Sequence, residues 1–243
     1  MRQMQNTKKK IVKTSKQSNI TVISLGGSMV IPDLPDPVFV KAFIKTITER
    51  TKKGRRFIIV VGGGKTCRNY QNALAEVRPV SDNENDWMGI YTTHFNAEFM
   101  RLAFAKLAHK EVVTKYGKKI TFKTPVLIGA GELPGHSTDF DAVLLAKMFG
   151  AKNVVNISNI DFVYTADPRK NPDAVPLPKL SWTEYLALLP KKWTPGFSSP
   201  FDVKASAIAK KSKLTVSIVN GNSLTEIAKA LDGKDFRGSI ISA

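Results

Sequence analysis

The 243-residue chain contains one cysteine, Cys67, which excludes an internal disulfide and a cysteine-rich metal site. Cys67 reads as a packing residue on a helix, and redox chemistry is set aside. Histidine is nearly as scarce: His94, His109 and His136 stand at no metal-ligand spacing, so no residue is assigned to a metal. His109 reads as a surface residue. No apolar run approaches the roughly 18 residues a membrane helix needs, and no hydrophobic stretch follows the basic N-terminal residues as in a secretory signal. The expected location is the cytoplasm, with no membrane partner. Acids are few, 20 against 37 lysines and arginines, and the formal charge of +17 favours anionic partners. Residues 1–18 hold Arg2, Lys8, Lys9, Lys10, Lys13 and Lys16 and no acid, and are expected to be a disordered tail outside the domain of residues 19–243. In the body, Lys41, Lys45, Arg50, Lys52 and Lys53 read as a solvated face. No aromatic-rich basic sheet motif accompanies the charge, which argues against nucleic acid as the partner.

What the chain does contain is 42% hydrophobic residues, enough to bury a large core as one domain or two joined lobes. Its organising stretch is the apolar run Phe57 to Val61, which breaks into Gly62-Gly63-Gly64-Lys65 and then a helical segment from Cys67 to Val77. Glycines let backbone N–H groups approach a phosphate, the helix N-terminus adds its dipole, and Lys65 and Arg68 add charge. The loop is not a Walker A motif, which would need glycine at Ile59, nor G-x-G-x-x-G, which would need glycine at Cys67. A glycine-rich turn without a ligand is the alternative if this turn is taken alone. A second one precedes it: Ile20 to Leu25 reads as a buried strand ending at Gly26-Gly27-Ser28. Between them lie a proline-marked loop (Pro32, Pro35, Pro37) and a helix carrying Val38, Phe39, Ala42, Phe43 and Ile47, which Gly54 stops. This is a βαβ unit with both glycine turns at the carboxyl edge of a parallel sheet, where such folds bind ligands.

Farther on, a helix is expected from Met88 to Leu107 after the polar stretch Asp82 to Asp86, then strand pieces over Glu111 to Thr121 around a turn at Tyr116-Gly117-Lys118. The strand Val126 to Ile128 opens into a glycine-rich loop, Gly129 to Asp139, too long for a plain connector, before a helix at Ala142 to Phe149. Thr138 and Asp139 either only cap that helix or also face a ligand, and position alone leans to capping. A strand at Val154 to Ile157 leads to a proline-rich stretch (Pro168, Pro172, Pro176, Pro178) read as an ordered surface loop. A helix at Trp182 to Leu188, a loop with Pro190, Pro195 and Pro200, a helix from Asp202 to Lys211, a strand at Thr215 to Val219, a helix at Leu224 to Leu231 and a strand at Ser239 to Ile241 complete the chain. The alternation predicts an α/β fold, a three-layer αβα sandwich with a largely parallel sheet.

Gly26-Gly27-Ser28, Gly62-Gly63-Gly64-Lys65, Asp86-Trp87-Met88-Gly89-Ile90, Pro134-Gly135-His136-Ser137-Thr138-Asp139 and Val163-Tyr164-Thr165-Ala166-Asp167-Pro168 occur in an order that resembles the uridylate (UMP) kinases of the amino acid kinase superfamily, in particular the archaeal-type branch. The resemblance runs from about residue 19 to the end. It implies the amino acid kinase fold and transfer of the ATP γ-phosphoryl group to UMP with Mg²⁺. It also implies a UMP-binding lobe over about residues 19–150, an ATP-binding lobe over about 151–243, and a homo-oligomer, commonly a hexamer. Carried over by position, Gly63, Asp86, Glu132, Leu133, Pro134, Gly135, His136, Ser137 and Thr138 hold UMP. Gly27, Ser28, Gly64, Arg68, Ser158, Tyr164 and Asp167 hold ATP. Asp202 matches an aspartate near the transferred phosphate, although as a residue it also reads as a plain helix cap. Lys65, with Arg68, Arg169 and Lys170, is a candidate cation. His136 lies in the UMP loop, where the expected contribution is its backbone N–H and not the imidazole.

Three positions depart from the pattern. Ser24 stands where bacterial members have lysine, which leaves the main catalytic cation open. Phe162 replaces the glycine of Asp-Gly-Val-Tyr, and His94 replaces an arginine of archaeal-type enzymes, a weaker anchor for an anion near neutral pH. Competing readings are a kinase for another small phosphate or phosphonate, and a non-catalytic nucleotide or oxyanion store on the same scaffold.

Overall fold

Buried parallel strands read as unbroken apolar runs because both faces of the sheet are covered, and the computed structural model, which describes residues 19–117, 120–189 and 199–243, shows this arrangement. β1 (Ile20–Leu25), β2 (Arg56–Val61), β3 (Val126–Gly129), β4 (Asn153–Ser158) and β8 (Thr215–Asn220) run parallel. With β7 (Lys179–Ser181) and β9 (Gly238–Ser242) they form a seven-stranded sheet in the order β3-β2-β1-β4-β8-β9-β7. Within this sheet only the β8–β9 pairing is antiparallel. β5 (Val163–Tyr164) and β6 (Pro176–Leu177) make a separate small hairpin.

Side chains alternate across the sheet with the strand period of two. Phe57, Ile59 and Val61 of β2 join Phe43 and Ile47 of α2 (Pro37–Thr51), Met100 of α4 (Asp82–Phe104) and Ile227 of α8 (Leu224–Leu231). Ile58 and Val60 face the other way, toward Val143 and Ala146 of α5 (Thr138–Phe149), Trp182 and Tyr185 of α6 (Trp182–Leu188) and Ala205 of α7 (Val203–Lys211). Helices therefore cover both faces, and the sheet is the middle layer of an αβα sandwich. The short α1 (Gly27–Val30) and α3 (Gly64–Val77) start at the two glycine turns.

Several local expectations are corrected. α4 begins at Asp82, because Ser81 accepts from the Glu84 amide while the Glu84 carboxylate accepts from the Ser81 amide, a reciprocal cap that recruits the polar stretch into the helix. Residues 111–117 and 120–121 contain no strand, only an isolated bridge from Val113 to Gly129. The proline-rich stretch supplies β6, and β7 follows it. Pro176 is tolerated in a two-residue hairpin strand, where a missing amide disrupts no central ladder. The tail of residues 1–18, Lys118, Pro190 and Pro195 lie outside the described residues.

Candidate active site

The register Leu25↔Val61 carries the β1–β2 pairing up to both glycine turns, so the turns meet at one edge of the sheet. They are in backbone contact: a Cβ on Gly27 would fall 2.1 Å from the Gly64 nitrogen and 2.6 Å from the Gly62 carbonyl. Gly64 has φ +65°, a left-handed conformation that suits glycine. Asn96 of α4, fully buried, donates to the carbonyls of Gly62 (2.9 Å) and Gly63 (3.0 Å). The turn is thus anchored through its oxygens. The first amides of α1 and α3 have no upstream helical carbonyl to bond, as at any helix start.

Beside this edge is a cavity of about 240 Å³. Of the residues assigned to UMP, Gly63, Asp86, Leu133, His136, Ser137 and Thr138 line it. Asp86 lies inside α4, where its Oδ2 accepts from the Gly135 amide at 2.6 Å and so holds the loop between β3 and α5 to the helix. Glu132 accepts from the Tyr116 amide at 2.7 Å; Glu132, Pro134 and Gly135 are not in the cavity wall. Ser137 is the cap of α5, accepting from the Phe140 amide. Thr138 and Asp139 are therefore not needed as caps. The Thr138 hydroxyl lies 3.3 Å from where a Gly62 Cβ would be, at the second glycine turn.

Asp139 ties four elements together. Its Oδ1 accepts from the Ser24 hydroxyl of β1 (2.7 Å) and the Asn156 amide of β4 (2.6 Å), and its Oδ2 from the Asp202 backbone N–H (3.1 Å) ahead of α7. Burial raises its pKa to about 6 against the pull of these bonds. Ser24, at the position of the bacterial lysine, is thus a ligand of Asp139. Asp202 caps α7, accepting from the Ala205 amide through Oδ1 at 2.7 Å. Lys204, also on α7, reaches the Gly135 carbonyl at 3.2 Å.

The residues assigned to ATP are less gathered. Gly27, Ser28 and Gly64 form the turns; Lys65 is half-buried at the start of α3 and Arg68 is exposed on it. Ser158 ends β4 with its hydroxyl buried and unpaired. Tyr164 lies on β5, edge-on to Phe162, and Asp167 is paired with Arg169 at 3.0 Å; neither lines the cavity. The Phe162 ring has the Arg237 guanidinium 5.5 Å from its centroid. His94 bonds the Gly131 carbonyl at 2.7 Å while Thr93 accepts from the Gly131 amide, so both hold the loop after β3 to α4. Sequence reading missed Asn96, Asn156 and Asp141, and Cys67 of α3 lines the cavity. A wider hollow of about 630 Å³, lined by Arg101, Lys106 and Lys123 among others, contains none of the assigned residues.

Asp141 is fully buried in the cavity wall and neither carboxylate oxygen has a hydrogen-bond partner. Burial, then the nearby Glu132 charge, raises its pKa to about 8. Between the unfolded value of 3.8 and about 8 the folded state binds the extra proton, so this group's contribution to stability is full below 3.8 and is lost as pH rises. Asp141→Asn should therefore stabilise the fold by on the order of a few kcal/mol at pH 8 and by less at pH 5. Urea unfolding at both pH values measures this; an equal gain at both would mean that folding does not raise the pKa of this carboxyl.

Among the described residues no three His, Cys, Asp or Glu side chains are placed to hold a metal ion, and no helix is long and apolar enough to cross a membrane. The model of the amino acid kinase family matches residues 19–220. The uridylate kinase of Pyrococcus abyssi is 34% identical over 217 residues, 88% of this chain and 95% of that one. That of Thermococcus onnurineus is 31% identical over the same shares. The crystal structure of uridylate kinase from Archaeoglobus fulgidus superposes with a TM-score of 0.76 at 30% identity, covering 91% of this chain and 99% of that one. With its sheet order, its paired glycine turns and these matches along nearly its whole described length, the chain belongs to the amino acid kinase family.

Proposed function

We propose that the protein is a UMP kinase, transferring the γ-phosphoryl group of ATP to UMP to give UDP in pyrimidine nucleotide biosynthesis. The observation that supports this reading is the close approach of Gly27 to Gly62 and Gly64, two glycine turns beside one cavity lined by Asp86 and Thr138. The relatives named uridylate kinase supply the acceptor's identity.

Phosphoryl transfer has a loose transition state, so the protein's task is to align two anions and stabilise charge on the moving group. In this reading residues 19–150 hold UMP and 151–243 hold ATP. Amides of Gly27, Ser28, Gly63 and Gly64 bind phosphate oxygens from two sides. Thr138 donates its hydroxyl to the acceptor phosphate, and Lys65 and Arg68 add positive charge. Asp139 fixes the backbone of Asp202, whose free oxygen orients the reacting phosphates. Mg²⁺ accompanying ATP would offset the polyphosphate charge. The reading includes a cytoplasmic enzyme and a homohexamer; Trp87, Tyr91 and Phe95, exposed four residues apart along α4, offer an apolar stripe for a second copy.

Turnover of UMP with Mg-ATP, compared with other nucleoside monophosphates and small phosphates, tests the proposal. Turnover of a different acceptor and none of UMP would sink it. Asp86, as the contact to the ribose hydroxyls, acts far from the reacting bond. Asp86→Ala should raise the KM for UMP by roughly tenfold to a hundredfold with kcat largely kept, and should narrow the preference for UMP over dUMP. A mutant that keeps the full preference would remove Asp86 from the ribose site.

A further inference from the structure

Asp141 occupies a position a helix normally fills with an apolar residue: it is followed by Ala142 and Val143 in the buried part of α5, and its side chain is 1% exposed. A buried carboxyl with both oxygens unpaired is unfavourable unless a ligand completes it. The groups around it do not. The Glu132 backbone amide favours the charged form, lowering the pKa against burial, but makes no bond of full hydrogen-bond geometry to either oxygen, and the Glu132 carboxylate repels it. His136 Nδ1, itself buried and unpaired, stays 3.4 Å from Oδ1. Tyr116, whose own pKa is raised by burial and then by Asp141 and Glu132, gives its hydroxyl to the Ala130 carbonyl. Cys67 of α3 and Asp86 of α4 share the cavity wall, and the Lys204 charge acts on His136.

Asp141 lies three residues beyond Thr138 on α5, one helical turn farther from the glycine turns. It therefore meets the part of an acceptor remote from its phosphate. We infer that Asp141 is a specificity-determining residue for the acceptor base: its carboxyl O–H donates to a ring carbonyl while its C=O accepts from the adjacent ring N–H, the edge that uracil presents. This rests on the acceptor reading above. The pKa of about 8 keeps the O–H in place near neutral pH. Ionised, the group can still accept from the ring N–H, but its second oxygen then faces the ring carbonyl with like partial charge. Recognition should weaken as pH rises.

The test is the KM for UMP between pH 6 and 9.5 in the full-length wild type, Asp141→Asn and Asp141→Ala, with thermal unfolding of each as the check on folding. Alanine should raise KM at pH 7 by roughly tenfold to a hundredfold with kcat largely kept. Asparagine, which has one donor and one acceptor edge, should recover most of that loss. Wild-type KM should climb above pH about 8 relative to the asparagine variant. Ionisations of UMP itself appear in both enzymes and cancel in that comparison. A wild type that uses UMP, with folded variants matching it in KM and pH profile, overturns the inference alone. A wild type that does not use UMP overturns the acceptor reading and this inference with it.

Discussion

Gly27→Ala should reduce kcat/KM by a hundredfold or more, on the order of what the loss of a preorganised backbone donor does at other anion-stabilising sites. The added methyl would sit 2.1 Å from the Gly64 nitrogen and 2.6 Å from the Gly62 carbonyl carbon and oxygen. All of these are backbone atoms, so no side chain can swing away. Relief requires the two turns to part, yet β1 and β2 are in register to the last residue before each turn, and the Gly62 amide donates to Leu25 O at 2.9 Å. The amides aimed at the phosphates would separate together. Overpacking of this kind also destabilises, by about 1–3 kcal/mol. Gly117→Ala is the control: nothing lies within 4 Å of its added methyl, and it should keep wild-type kinetics. The measurement is steady-state kinetics with a thermal melt on each variant, and wild-type kcat/KM in a folded Gly27→Ala protein would remove the turn contact from the catalytic argument.

The reason this contact could be anticipated, and others could not, lies in how far each signal reaches along the chain. β1, β2 and the centre of β4 are buried on both faces, so their apolar runs are local and legible, and a glycine turn after each of the first two marks the edge read as the ligand edge. α4 carried a legible start that its polarity masked: Ser81 and Glu84 stand at capping-box spacing, but the polar stretch Asp82 to Asp86 reads as loop. Val112 and Val113 have strand character, and tertiary context left only Val113 with an isolated bridge, to Gly129. The polar interior of the site was the least legible part. Asn96 meets the Gly62 carbonyl 34 residues away, and Ser24 meets Asp139 at a separation of 115. Such pairings have no periodicity to announce them. Asp141 in particular reads as one more acid in the first turn of a helix, where acids are common, and only its burial distinguishes it.

Asp202→Asn separates the two roles open to that residue. Its Oδ1 accepts from the Ala205 amide at 2.7 Å, and asparagine caps about as well as aspartate, so the helix should be nearly unaffected. What asparagine removes is the charge. Asp202 stands next to Asp139, whose raised pKa of about 6 it helps to sustain, so the substitution should also lower the Asp139 pKa and favour the ionised form that bonds Ser24, Asn156 and the residue-202 amide. Stability at neutral pH should hold or rise. If the same charge orients the reacting phosphates, kcat and kcat/KM should fall together, on the order of a hundredfold, because the interaction is made chiefly in the transition state. Asp202→Ala should show the same kinetic loss plus about 1 kcal/mol of destabilisation from the missing cap. The informative pattern is therefore a stable, inactive asparagine variant beside a less stable, equally inactive alanine variant. An asparagine variant with wild-type kcat would leave Asp202 as a cap, and would shift the search for the transition-state contact to Lys65, which is half-buried at the start of α3 and among the described residues has no ion-pair partner.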